Sequence, residues 1–108
     1  MQLAVERYGA GGPALLLLHG VGANGAVWSP VVERLQATWP GSIIVPDLRG
    51  HGRSPRASAY GLGRHAADVA ELLAPGEEIY VAGHSMGGAI ALILAGGWFV
   101  LKAERSSQ

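Results

Sequence analysis

Three short runs, apolar throughout, constrain this chain most: Ala14-Leu15-Leu16-Leu17-Leu18, Ile43-Ile44-Val45 and Ile79-Tyr80-Val81-Ala82. A strand with one wet face alternates polar and apolar residues. A run apolar at every position predicts a strand covered on both faces, the habit of parallel sheets. Between the runs the period changes from strand to helix. A first helix is expected with Ser29 as cap, Pro30 at its first position, Val31, Val32, Leu35 and Trp39 as its stripe, and Pro40-Gly41 as its stop. A second covers about Leu62 to Leu73, with Leu62, Ala66, Val69 and Leu73 on one side and Pro75-Gly76 beyond it. A third follows the last apolar run and extends to about Ala95. Alternating strands and helices predict an α/β fold: a three-layer parallel sheet with helices on both faces and right-handed crossovers.

Leu3 to Tyr8 alternates weakly and reads as an edge strand. One folded unit is therefore expected over residues 1–95, with a polar-ended tail over 96–108. In that tail Trp98-Phe99-Val100-Leu101 is expected as a short strand beside Ile79–Ala82, whose flank would otherwise be bare.

Composition removes several functions. Lys and Arg together equal Asp and Glu at 8 each, with no basic block, so neither nucleic acid nor an anionic membrane surface is expected as partner. The chain has no cysteine, which excludes disulfides, thiolate zinc sites and a thiol nucleophile. No His, Asp and Glu set has metal-ligand spacing, and no metal or other cofactor is expected. The N-terminus lacks a basic segment leading into an apolar one, so no signal peptide is read and the cytoplasm is the expected location.

Each apolar run ends in a glycine-rich loop, and open α/β sheets place their sites at such carboxyl ends. After the third run comes Gly83-His84-Ser85-Met86-Gly87, a Gly-x-Ser-x-Gly sequence between strand and helix. That pattern is a nucleophile elbow. A strand turning straight into a helix strains its tip residue, and side chains two places either side would collide across the bend. Ser85 then stands clear with Oγ exposed, and the N–H of Met86 is free to donate to an oxyanion.

His19-Gly20-Val21-Gly22 follows the first run, and its Val21 N–H is the expected second donor. His84 adjoins the serine, but neighbours along a strand point to opposite sides, which makes it a poor general base. His65 and Asp68, three apart on the second helix, read as a solvated pair. A rival pattern overlaps the first loop: Gly20, Gly22 and Gly25 satisfy Gly-x-Gly-x-x-Gly, with Asp47 ending the next strand, as in a nucleotide-binding βαβ unit. The bulk of His19 and the late helix start speak against that rival, which also leaves Ser85 unexplained.

Leu18-His19-Gly20-Val21-Gly22, then Asp47-Leu48-Arg49-Gly50-His51-Gly52-Arg53-Ser54, then Gly83 to Gly88, taken in that order and spacing, resemble the amino-terminal part of an α/β-hydrolase-fold enzyme of the esterase, lactonase and carbon–carbon hydrolase branch. The resemblance runs from about Leu3 to Ala95. It implies a serine hydrolase acting on a carboxylic ester or related acyl substrate. Ser85 would be the nucleophile, and Val21 and Met86 the oxyanion-hole donors. His19, Gly20, Gly22, Trp28 and His84 would lie about the substrate pocket, with core packing the stronger role for Trp28, and Asp47 would organise its loop.

In this family the triad acid and base follow the serine, whereas only 23 residues follow Ser85 here, with Glu104 the sole acid and no His. A catalytically silent interaction module is the corresponding alternative. A half-sheet of this kind would leave strand side chains bare beside the first helix, which predicts a homo-oligomer through an exposed sheet face or edge.

Overall fold

The computed structural model describes residues 1–74 and 76–106, with side chains of the last helix described through residue 96. Its elements run β1 (Val5–Tyr8), β2 (Ala14–Leu18), a 3₁₀ turn (Gly25–Trp28), α1 (Ser29–Leu35), β3 (Ser42–Pro46), α2 (Leu62–Ala70), β4 (Ile79–Gly83) and α3 (Met86–Ser106). The sheet order is β1-β3-β2-β4. β2 pairs in parallel with β3 (Leu16 opposite Ile44) and with β4 (Leu16 opposite Val81), while β1 pairs antiparallel with β3.

The all-apolar sequence of β2 follows from this order. It lies between two strands and between two helical layers, and every residue in it is buried. Alternation sends its side chains to two cores. Leu16 and Leu18 join Ile44, Val69, Ile90 and Leu94 beneath α2 and α3. Leu15 and Leu17 join Val32, Ile43 and Val45 beneath α1. The expected three layers are thus present, with one helix on one face and two on the other.

Several boundaries differ from expectation. Ser29 is the first residue of α1, not its cap; that place falls to Trp28, which closes the preceding 3₁₀ turn. α2 stops at Ala70, and Pro75, the expected stop, lies outside the described residues. The expected strand at Trp98–Leu101 is instead the continuation of α3. Gly96-Gly97 costs a helix only about 1 kcal/mol per glycine, and the Leu, Lys, Ala, Glu and Arg that follow are good helix formers.

The third apolar run is therefore an edge strand and not a covered one, and Tyr80 is 49% exposed. Conversely, the face beneath α1 is not bare. Trp28, Val31, Leu35 and Trp39 spread over it and keep Leu15, Leu17, Ile43 and Val45 buried. The Trp39 Nε1–H donates to the carbonyls of Pro13 (3.1 Å) and Ser42 (3.0 Å), and its ring meets Tyr80 edge-on at 5.6 Å. No helix among the described residues is long and apolar enough to cross a membrane.

Candidate active site

The turn from β4 into α3 takes two residues, His84 and Ser85. Ser85 has φ of 58°, the single positive φ at a non-glycine position among the described residues. For an L-residue the left-handed region costs roughly 1–2 kcal/mol, and such a residue persists where its surroundings fix it. The surroundings here are two glycines. A Cβ on Gly83 would overlap the Gly87 carbonyl, and one on Gly87 would overlap the Leu18 and His19 carbonyls. The start of α3 can thus press against the end of β2. The His84 N–H donates to the Leu18 carbonyl at 3.0 Å, and the Gly87 N–H to the His84 carbonyl at 3.0 Å, closing the bend. Gly83, His84 and Ser85 are all exposed.

The loop after β2 comes up beside this tip. An ideal Cβ on Gly20 would stand 3.1 Å from the Ser85 Cβ and 3.3 Å from the His84 Nδ1, so the absence of a side chain there makes room for both. His84 and Ser85 therefore both border Gly20. The strand alternation that would separate them ends at Gly83, and the left-handed turn at Ser85 replaces it. Gly22 also lies at positive φ, 78°, in the turn closed by the Ala23 N–H on the Gly20 carbonyl. Among the described residues, the Val21 and Met86 amides donate to no carbonyl or side chain, and Val21 is 71% exposed.

His19 differs from the pocket-lining residue expected. It is fully buried. The Leu48 N–H donates to its Nε2 at 3.0 Å, which leaves Nδ1 to carry the proton and donate to the Gly20 carbonyl at 2.8 Å. The imidazole is thus a strut between the loops after β2 and β3. Burial holds it below the ordinary imidazole pKa.

Asp47 organises its loop as expected: Oδ1 accepts from the Gly25 N–H at 2.7 Å and Oδ2 from the Arg53 N–H at 3.0 Å. Cβ atoms on Gly25 or Gly52 would crowd this carboxylate. The Ser54 hydroxyl donates to the Asp47 carbonyl and accepts from the Ala4 N–H at 2.9 Å, tying the loop to the segment before β1.

His65 and Asp68 are not a solvated pair. Both are buried, and Asp68 receives the Arg49 guanidinium as a two-pronged pair, Nε to Oδ2 at 2.7 Å and Nη2 to Oδ1 at 2.9 Å. Arg49 also donates to the Ala59 carbonyl at 2.8 Å. These bonds hold the Asp68 carboxyl below its usual range. His65 lies in a row of imidazoles, with ring centres 6.4 Å from His51 to His65 and 5.1 Å from His51 to His19. Among the described residues its Nδ1 is buried without a partner, and burial, then the neighbouring His51 and Arg49, depress its pKa. Sequence reading missed this cluster because its members lie on three separate elements. The one available signal was the density of His and Arg in the loop after β3.

Trp28 packs into the core beneath α1, the stronger of its two expected roles. A cavity of about 470 Å³ lies between β1 and the 3₁₀ turn, lined by Glu6, Tyr8, Asn24, Ser29, Val32 and Arg53 among others. Neither Ser85 nor any of the expected pocket residues His19, Gly20, Gly22, Trp28 and His84 lines it. The tip of the elbow is an open surface site.

A left-handed serine at a strand-to-helix tip, framed by glycines and met by a glycine loop from the central strand, defines the class. The chain belongs to the α/β-hydrolase-fold family, whose model matches residues 13–96. It is 40% identical over 98 residues to the lipase LipV of Mycobacterium tuberculosis, an alignment covering 88% of this chain and 36% of that protein. It is 42% identical over 97 residues to the pimeloyl-[acyl-carrier protein] methyl ester esterase of Aeromonas hydrophila, again covering 88% and 36%. Among solved structures, a thermophilic esterase from Thermogutta terrifontis superimposes with a TM-score of 0.77 at 33% identity, covering 89% of this chain and 36% of that one. The chain thus spans about a third of the length of these relatives.

Proposed function

We propose that this chain carries the nucleophile half of a carboxylic ester hydrolase site, with Ser85 as the nucleophile. The observation that carries the reading is the exposed Ser85 at φ 58°, held there by the steric demands at Gly83 and Gly87. The Ser85 Oγ attacks the ester carbonyl, and the Val21 and Met86 N–H groups receive the developing oxyanion. The carbon–oxygen bond to the alcohol breaks, the departing alkoxide takes up the proton given up by the Ser85 hydroxyl, and the acyl-Ser85 ester left behind is hydrolysed by water to the acid and free Ser85. Removing one oxyanion donor typically costs about 10²–10³ in kcat. The lipase and esterases among the relatives support this substrate class.

The nucleotide-binding alternative is the less favoured, because the Asp47 carboxylate it would use for a ribose is already engaged within its own loop. Both carboxylate oxygens of Asp47 accept backbone amides, and Gly25 is required where that carboxylate packs. The test is incubation with p-nitrophenyl acetate followed by mass spectrometry of the intact chain and its peptides. An acetyl adduct on Ser85, absent in Ser85→Ala, is expected. An adduct that persists in Ser85→Ala sinks the assignment. No adduct in the wild type favours the silent interaction module.

A further inference from the structure

We propose that His19 is an acid-operated latch: a second proton on its ring breaks the bond that ties the loop after β2 to the loop after β3 and frees residues 20–24. The closed geometry admits one protonation state. Nε2 has to be bare, because it accepts the Leu48 N–H at 3.0 Å, while Nδ1 carries the proton and donates to the Gly20 carbonyl at 2.8 Å. An imidazolium has two N–H groups and no acceptor. On protonation the Nε2–H faces the Leu48 N–H, donor against donor. His19 and Leu48 are both fully buried, so water cannot relieve the conflict while the loops stay together. A buried charged donor without a partner is the costly arrangement, and parting the loops removes it.

The groups around the ring set when it opens. From the loop after β3, Asp47 favours a charge on His19, and His51, 5.1 Å away between ring centres, opposes it. From α2 come His65, which a charge on His19 disfavours in turn, and Asp68, which is paired with Arg49 and the N-terminal amine. His84 adjoins Gly20 from the turn before α3. Burial outweighs the rest and keeps the pKa of His19 below 6.5, so the latch is closed at neutral pH and opens on the acid side. Among the described residues, the other hydrogen bond between the two loops runs from the Gly25 N–H to Asp47 at 2.7 Å, which confines the release to the stretch between the two ties. Val21, Gly22 and Asn24 in that stretch are exposed, and Gly22 sits at positive φ. The consequence for catalysis rests on the serine reading above. His19 acts there as a positioning residue, and with its bond to Leu48 broken the Val21 N–H is no longer fixed as an oxyanion donor.

The experiment follows amide hydrogen exchange at Leu48 and the ring nitrogen shifts of His19 by NMR from about pH 8 to 5, the range in which imidazoles change charge. It compares the wild type with His19→Gln, whose side chain can accept a bond but takes up no proton. In the wild type, protection of Leu48, corrected for the intrinsic exchange rate, is expected to fall about tenfold per pH unit once the ring titrates, while Leu16 in the centre of β2 keeps its protection. In His19→Gln this pH dependence disappears. Should that variant fail to fold, the wild type alone decides, since the loss at Leu48 and the ring titration are expected to share one midpoint. A ring that takes up its proton with Leu48 still protected overturns the inference. So does a loss at Leu48 that Leu16 shares at every pH, or one that persists in His19→Gln. Acetylation of Ser85 by p-nitrophenyl acetate is measured alongside, and its rate is expected to fall more steeply toward acid in the wild type than in His19→Gln. Parallel slopes overturn the link to Val21. Absence of acetylation at every pH removes the serine reading, while exchange at Leu48 still decides the latch.

Discussion

The loops after β2 and β3 and the tip after β4 all lie at carboxyl ends of strands, yet they are built on opposite plans. The first two loops are locked: His19 bridges them, Asp47 ties two amides, and Arg49 reaches down to Asp68. His19 and Ser54 are buried there, Asp47 and Arg49 are half-buried, and each of the four is hydrogen-bonded. The tip is held only by its backbone, through the glycines that let α3 abut β2, and its side chains point into solvent. The contrast separates two tasks. Buried polar groups fix a loop's shape at the cost of their own reactivity, whereas a nucleophile has to remain unpaired and reachable. Sites carried on loops over a rigid scaffold reconcile the two.

The sharpest way to break the contrast is to take away the contact that carries the tip. Gly87→Val puts a branched side chain into the Leu18 and His19 carbonyls. A loss of about 3 kcal/mol or more is expected, against a total stability of about 5–15 kcal/mol for a domain. Chemical denaturation should show a transition midpoint well below that of the wild type, and a midpoint near wild type would mean that α3 can shift to make room.

A smaller effect isolates the locked loops. His19 and His65 are held below the usual imidazole value of 6.5, in both cases chiefly by burial. The unfolded chain then takes up these protons before the folded one does, so stability is complete above about pH 6.5 and falls as the solution is acidified. Asp68, held below its usual 3.8 chiefly by the Arg49 hydrogen bonds, contributes stability that is lost only at lower pH, as acid passes through its folded value. Melting temperatures are therefore expected to decline from pH 7 to 5 and again below about pH 4. His65→Gln should lessen the first decline, leaving the share of His19, and spare the second. A first decline unchanged in that variant would remove His65 from the account.

The smallest effect probes the tip alone. Ser85→Gly relieves the left-handed strain and is expected to gain up to about 1 kcal/mol, while Ser85→Ala gains nothing. Both lose acylation. Equal melting temperatures for the two variants would show that the turn holds no strain.

How much of this was legible in the sequence follows the same division. The elbow was readable because its logic is local: the glycines, the serine and the flanking strand and helix lie within ten residues. The apolar runs located the strands, and Asp47 was placed correctly as a loop organiser. The partners of His19, His65 and Asp68 were not readable. His19 meets Leu48 across 29 positions and Arg49 meets Asp68 across 19, and no periodicity records such pairings. The exposure of Tyr80 was missed for a related reason. An apolar run reports that a strand tolerates burial, but the order β1-β3-β2-β4, which sets β4 at the margin, depends on all four strands together. The end of α3 was misjudged because paired glycines were given more weight as a stop than their cost of about 1 kcal/mol each warrants.

The central place of β2 has a consequence for synthesis on the ribosome. One of the two neighbours of Ala14–Leu18, the strand Ile79–Gly83, emerges about 65 residues later than Ala14–Leu18 itself. At about 5–20 residues per second this is a wait of several seconds. Throughout it, four consecutive leucines present an unpaired flank in the nascent chain, and a chaperone that shields such a stretch would find it there.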